Sequence, residues 1–185
     1  MSTIDTSPSS NGRGTDAWAR SWTHLRIDRR SAGYCRVTFD HPPINTITAT
    51  TVLELAEIVG LIEQDSDLNA VVFDSANSDF YLADYVGVGP TELAAWNDAL
   101  ARLARAPVVS IAAIRGRCLG AGSEFVLACD LRFASRENAK RHASVDRVIA
   151  DARLDEEVDE IAERLARLDH DAIARTKSSV DRPGH

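Results

Sequence analysis

Apolar and polar positions change period several times along the chain, and each change predicts an element. Residues 1–20 are rich in Ser, Thr, Gly and Asn with almost nothing to bury, which predicts a disordered leader. Two extended runs follow, residues 23–28 and 34–40, with Ser31-Ala32-Gly33 between them supplying turn chemistry, so a β-hairpin is expected. His41-Pro42-Pro43 stops the second run because proline offers no N–H to a ladder. Thr48 or Thr50 can then cap a helix whose apolar positions Val52, Leu55, Val59 and Ile62 follow the helical period.

Beyond this point, strand and helix alternate. Residues 70–75 and 108–115 are continuous apolar β runs, residues 91–105 have helical spacing, residues 125–129 look helical and residues 131–134 extended. Strands without polar alternation, separated by helices, suit a parallel sheet covered on both faces, so the fold class is α/β. From Leu154 onward Val158, Ile161, Leu165 and Leu168 repeat at helical steps among many charges, and a second stretch covers residues 171–180, predicting two terminal amphipathic helices. Their acidic faces are read as solvated surface.

Composition narrows the function classes. With 185 residues, 44% of them apolar, the chain can bury one good core, and one globular domain is expected. A net charge of -7 and a pI near 5.2 argue against a nucleic-acid or anionic-membrane surface, either of which needs clustered Lys and Arg. A small molecule or another protein is the expected partner. Cys35, Cys118 and Cys129 show no CxxC or Cys/His spacing, which suggests neither a disulfide framework nor a zinc site and fits a reducing cytoplasm. No apolar run approaches the ~20 residues that span a bilayer, and the first residues do not form an export signal, so a cytoplasmic location is expected.

Two stretches carry candidate chemistry. The first, Asp79 through Tyr85, leaves the strand that ends near Asp74, at the end of a parallel strand where α/β proteins place ligand-binding backbone. The second, Ile114 through Phe125, is a small-residue turn (Gly116, Gly120, Ala121, Gly122) between a buried strand and a helix. Free N–H groups at such a helix start favour anionic oxygen, and glycines let a ligand approach the main chain. The glycine spacing does not match a dinucleotide fingerprint, and no spacing supports a protease-like pair of Ser123 with His142.

In this order the two stretches, together with Pro42-Pro43-Ile44-Asn45-Thr46 and Ala128 through Ala134, resemble the crotonase, or enoyl-CoA hydratase/isomerase, superfamily. The resemblance runs from about Thr23 to Lys140 and resumes near Val145. It implies an α/β crotonase-like ββα superhelix core over residues 21–150 followed by a C-terminal helical segment over 151–185. It also implies an acyl-CoA thioester as substrate without a separate cofactor or metal, and a homo-oligomer, trimer or hexamer. Residue by residue, the two backbone N–H groups that hold the thioester oxygen fall on Asp84 and Ala121. Ala83, Gly120 and Lys177 fall at CoA-binding positions, Lys177 near the phosphates; an exposed helix-end lysine is the alternative. Glu124 falls on the first of the two catalytic glutamates, a general acid/base. Its structural alternative is a carboxylate favoured in a first helical turn by the helix dipole.

The chain departs from the family pattern in two ways. Asp84 puts a carboxylate beside the developing oxyanion, where it would repel charge unless it points away. After Lys140 the segment that carries the second glutamate is missing, and the sequence looks spliced across an internal deletion. One glutamate suffices for isomerisation, a single proton shuttle, but not for concerted hydration by a carboxylate pair. The reading is therefore an enoyl-CoA hydratase/isomerase-like enzyme working through a single glutamate. Its rival is a non-catalytic paralogue that serves as a binding or assembly module.

Overall fold

The computed structural model of the protein describes residues 15–83, 85–137 and 145–180. Its elements are α1 (Thr15–Trp18), β1 (Leu25–Ser31), β2 (Tyr34–Phe39), α2 (Ala49–Gln64), β3 (Ala70–Ser75), β4 (Tyr81–Ala83) and α3 (Pro90–Arg105), followed by β5 (Val109–Ile114), β6 (Cys118–Gly120), α4 (Ala121–Ala128), β7 (Leu131–Ser135), β8 (Arg147–Ile149), a 3-10 turn (Asp151–Arg153), α5 (Leu154–Ala166) and α6 (His170–Val180). The main sheet has six strands in the order β1-β2-β3-β5-β7-β8, and a second sheet pairs β4 with β6. β1 and β2 form the expected hairpin, antiparallel, with β1 continuing to Ser31 opposite Tyr34. All other neighbours in the main sheet are parallel.

Strand residues are shared alternately between two apolar cores, as the period of two requires. Val71 and Phe73 of β3, with Cys35, Val37 and Phe39 of β2, join the core beneath α2, α3 and α4. Ala70 and Val72, with Tyr34, join the opposite core under α5. The continuous apolar runs of the sequence thus have their cause in cover on both faces.

Helix α2 starts where the sequence places it. The Thr48 hydroxyl accepts from Thr51 N–H (3.3 Å) and the Thr51 hydroxyl accepts from Thr48 N–H (3.4 Å), a reciprocal cap. Val52, Leu55, Val59 and Ile62 are all buried. Helix α4 begins at Ala121, ahead of the expected residues 125–129, because its first turn is made of small residues with little helical period.

Some expectations need correction at their edges. Of the segment read as a leader, residues 1–14 lie outside the described residues, while α1 is ordered enough to bury Trp18, whose indole donates to Asp65 Oδ2 (3.0 Å). Of the terminal repeat, Val158 is buried but Leu168 is 53% exposed, since α5 ends at Ala166 before Leu168 can follow the helix face. Leu154 and Ala162 complete the buried stripe.

Candidate functional site

The site is assembled where β4 and β6 run side by side. Gly116 has φ +62, and a side chain there would collide with the Ser78 carbonyl, so only glycine lets the loop before β6 approach the loop before β4. The two loops are joined by one carboxylate: Asp79 accepts from Arg117 N–H (2.7 Å) and from the Arg117 guanidinium, with Nη2 2.7 Å from Oδ2. Phe80 N–H donates to the Arg117 carbonyl (3.0 Å). β4 and β6 then lie in parallel register, Tyr81 with Cys118, Leu82 with Leu119 and Ala83 with Gly120.

Gly120 carries φ 55 and ψ -129, a conformation that side-chain-bearing residues rarely adopt, and it turns the chain into α4 at Ala121. Ala121 is buried, and its N–H is among the first-turn donors with no partner inside the helix. Glu124 lies in that first turn, where the helix dipole favours a negative charge, and its side chain is exposed. The Tyr85 hydroxyl donates to Glu124 Oε2 (3.1 Å). Partial burial, and then the adjacent Glu124 charge, push the Tyr85 phenol up to about 12.

Tyr85 is itself fixed from below. It forms an isolated parallel bridge with Ile47, and Val86 N–H donates to the Ile47 carbonyl (2.9 Å). The turn that leads into Ile47 is held by Asn45, at φ 53, whose amide donates to the Ser75 hydroxyl (2.9 Å) and the Phe80 carbonyl (3.0 Å). The backbone next to β4 and the end of β3 therefore share one polar hub, two residues before the Ile47 that pairs with Tyr85.

Among the sequence-predicted residues, Ala83, Gly120, Ala121 and Glu124 come together at the β4–β6 junction. Asp84 and His142 lie outside the described residues. Ser123 is engaged locally, its hydroxyl donating to the Cys118 carbonyl (3.1 Å). Lys177 is not an exposed helix-end lysine: its ammonium donates to Asp130 Oδ2 (2.8 Å), the Val108 carbonyl (2.9 Å) and the Leu103 carbonyl (3.4 Å), and its side chain is 10% exposed. An ammonium so occupied ties α6 to the sheet and would have to release these acceptors to reach a phosphate.

All three cysteines are buried free thiols, and burial pushes Cys35 and Cys118 up to about 12, which leaves them poor nucleophiles. Among the described residues no group of three His, Cys, Asp or Glu side chains is placed to hold a metal, and no helix is long and apolar enough to cross a membrane. Two surface clefts, of about 340 and 350 Å³, flank α5 and do not include Glu124 among their lining residues.

The model of the family described as enoyl-CoA hydratase/isomerase matches residues 29–141, more than half of the chain. The chain belongs to the enoyl-CoA hydratase/isomerase family. The match takes in β4, β6 and Glu124 and stops short of β8, α5 and α6. Among solved structures, a Streptomyces avermitilis protein assigned as an enoyl-CoA hydratase is 27% identical with a TM-score of 0.76, over 88% of this chain and 79% of that one. An enoyl-CoA hydratase from Mycobacterium smegmatis is 19% identical with a TM-score of 0.77, over 87% of this chain and 85% of that one. One from Bacillus anthracis is 18% identical with a TM-score of 0.77, over 86% and 83%. The last two likenesses speak to the fold, which is the crotonase-type α/β fold.

Sequence patterning did not single out Tyr85, the Asp79–Arg117 clamp or the β4–β6 sheet. Tyr85 and Asp79 stand inside the first candidate stretch, but their partners lie 39 and 38 residues away, beyond the reach of any local period.

Proposed function

We propose that this member of the enoyl-CoA hydratase/isomerase family acts on an acyl-CoA thioester through a single glutamate. The backbone N–H groups of Asp84 and Ala121 would hold the thioester oxygen, and Glu124 would be the acid/base. The observation that carries this reading is the juxtaposition at the β4–β6 junction: Ala83 and Gly120 are in register one residue before the two donor positions, and Glu124 stands exposed in the helical turn that Ala121 begins.

Two N–H donors aimed at one oxygen stabilise the negative charge that develops on it when a proton leaves the neighbouring carbon. The carboxylate of Glu124 would take that proton and return it at another carbon, which completes an isomerisation. Hydration by two carboxylates needs a second glutamate. We propose that it has been lost with a segment between β7 and β8. Residues 136–146 alone join these two parallel strands, a short span for a connection that usually takes a dozen or more residues, and this supports the reading.

In a homo-oligomer of the kind the family resemblance implies, a neighbouring subunit would cover the open surface around Glu124, where Leu119 is 52% and Leu127 60% exposed. Lys177 would act as the strut that seats α6. Glu124→Gln should keep acyl-CoA binding, read by calorimetry, and lose about 10²–10⁴-fold in turnover. Unchanged turnover in that variant would overturn the mechanism.

A further inference from the structure

We infer that Tyr85 is a positioning residue for Glu124: its phenol O–H caps carboxylate oxygen Oε2 and leaves Oε1 as the oxygen that takes and returns the substrate proton. The inference rests on the proposed acid/base role of Glu124.

A glutamate on an open helix surface has several rotamers, and holding it in one costs conformational entropy that something nearby must offset. Tyr85 supplies that hold. Its hydroxyl is 3.1 Å from Oε2, and among the described residues Glu124 has no other hydrogen-bond partner. The phenol comes from a segment with its own anchor, the Ile47 bridge and the Val86 N–H bond to the Ile47 carbonyl, so the donor is fixed independently of the helix that carries the acceptor. With its ionisation pushed up to about 12 by partial burial and the Glu124 charge, Tyr85 keeps its proton and remains a donor at neutral pH.

During the reaction the substrate C–H bond breaks, its electron pair passes to the thioester oxygen as an enolate, and the proton rests on Oε1. Reprotonation at another carbon reverses these movements and restores the carboxylate. Tyr85 keeps its own proton throughout.

Tyr85 is itself a large apolar ring only 37% exposed, and the next residue, Val86, is 57% exposed, so a packing role is the competing explanation. Phenylalanine would fulfil that role equally well. The experiment therefore pairs Tyr85→Phe with Glu124→Gln in the full chain, using an enoyl-CoA thioester as substrate and carbon-labelled tyrosine to follow the Tyr85 phenol by NMR. Tyr85→Phe should melt like the parent and lose ~10- to 100-fold in kcat with KM little changed, because a displaced acid/base group loses rate rather than binding. In Glu124→Gln the Tyr85 phenol should ionise at lower pH than in the parent.

Unchanged kcat in Tyr85→Phe overturns the positioning role alone, provided Glu124→Gln has lost turnover. A Tyr85 titration that is identical in parent and Glu124→Gln overturns it as well, whatever the kinetics. Unchanged turnover in Glu124→Gln removes the acid/base reading and this inference with it.

Discussion

On one face of the main sheet, Phe39 and Phe73 each meet Phe125 edge to face, with ring centroids 5.1 and 5.0 Å away, and Trp96 packs beside them. On the other face, an apolar centre of Val72, Ile111, Leu154 and Val158 is ringed by charge. There Arg36 lies with its side chain 8% exposed, 3.5 Å from Asp74 of β3 and 3.5 and 3.7 Å from Asp155 and Asp159 of α5, while Arg115 reaches Asp155 at 3.0 Å. The first face carries α4 and hence Glu124. The second seats a terminal helix that lies outside the family match. The contrast teaches that α4, which carries Glu124, is seated by non-directional packing, whereas α5 is also held by directional pairs that fix where it docks.

The sharpest way to break the contrast is to remove the ring at its centre. Phe125→Ala should cost about 3–5 kcal/mol in denaturant unfolding, because the rings around it, Phe39, Phe73, Phe80 and Trp96, cannot close the cavity. It should also disturb Glu124, the preceding residue. An equally large loss with full turnover retained would separate site from core and contradict the coupling.

On the charged face, Arg36→Ala should cost about 1–3 kcal/mol, since it leaves Asp74 buried without its cation. Burial already pushes the Asp74 carboxyl upward, with Arg36 pulling the other way. A carboxyl raised in the folded state weakens stability as pH rises through its folded value, so the loss in Arg36→Ala should grow from acid toward neutral pH. Denaturant midpoints across that range check it.

The smallest effect is expected at the rim. Partial burial acts on Asp155 first, but hydrogen bonding and attraction from Arg115 and then Arg36 prevail and hold its carboxyl below the usual range. Its contribution is therefore complete above the ordinary carboxylate value, about 4, and is lost as pH falls through its lowered folded value. Asp155 is half exposed, so Asp155→Asn should cost less than ~1 kcal/mol near neutrality and flatten the acid limb of stability. Hydrogen exchange of the α5 amides is the local readout.

The same contrast explains what the sequence could and could not reveal. β3 and the α2 stripe were legible because Val71, Phe73, Val52 and Leu55 obey a period within one element, and the ordered motifs from Pro42 to Ala134 carried the family and Glu124. The three-residue strands β4 and β6 are too short to show a period. Arg36 and Asp155 are 119 residues apart, and nothing local marks an arginine in an apolar strand as the seat of a later helix. Trp18 sits in a polar segment whose composition hides that one indole finds Asp65 and the core. Tyr85 and Glu124 meet only once Gly116 and Gly120 have brought their loops together.

The claim that one glutamate performs the proton chemistry is tested most directly by hydrogen exchange in the substrate. An enoyl-CoA thioester incubated with the protein in heavy water should gain deuterium next to the thioester carbonyl, and Glu124→Gln should bind the same thioester while leaving it unlabelled. Equal labelling by both proteins would contradict the account.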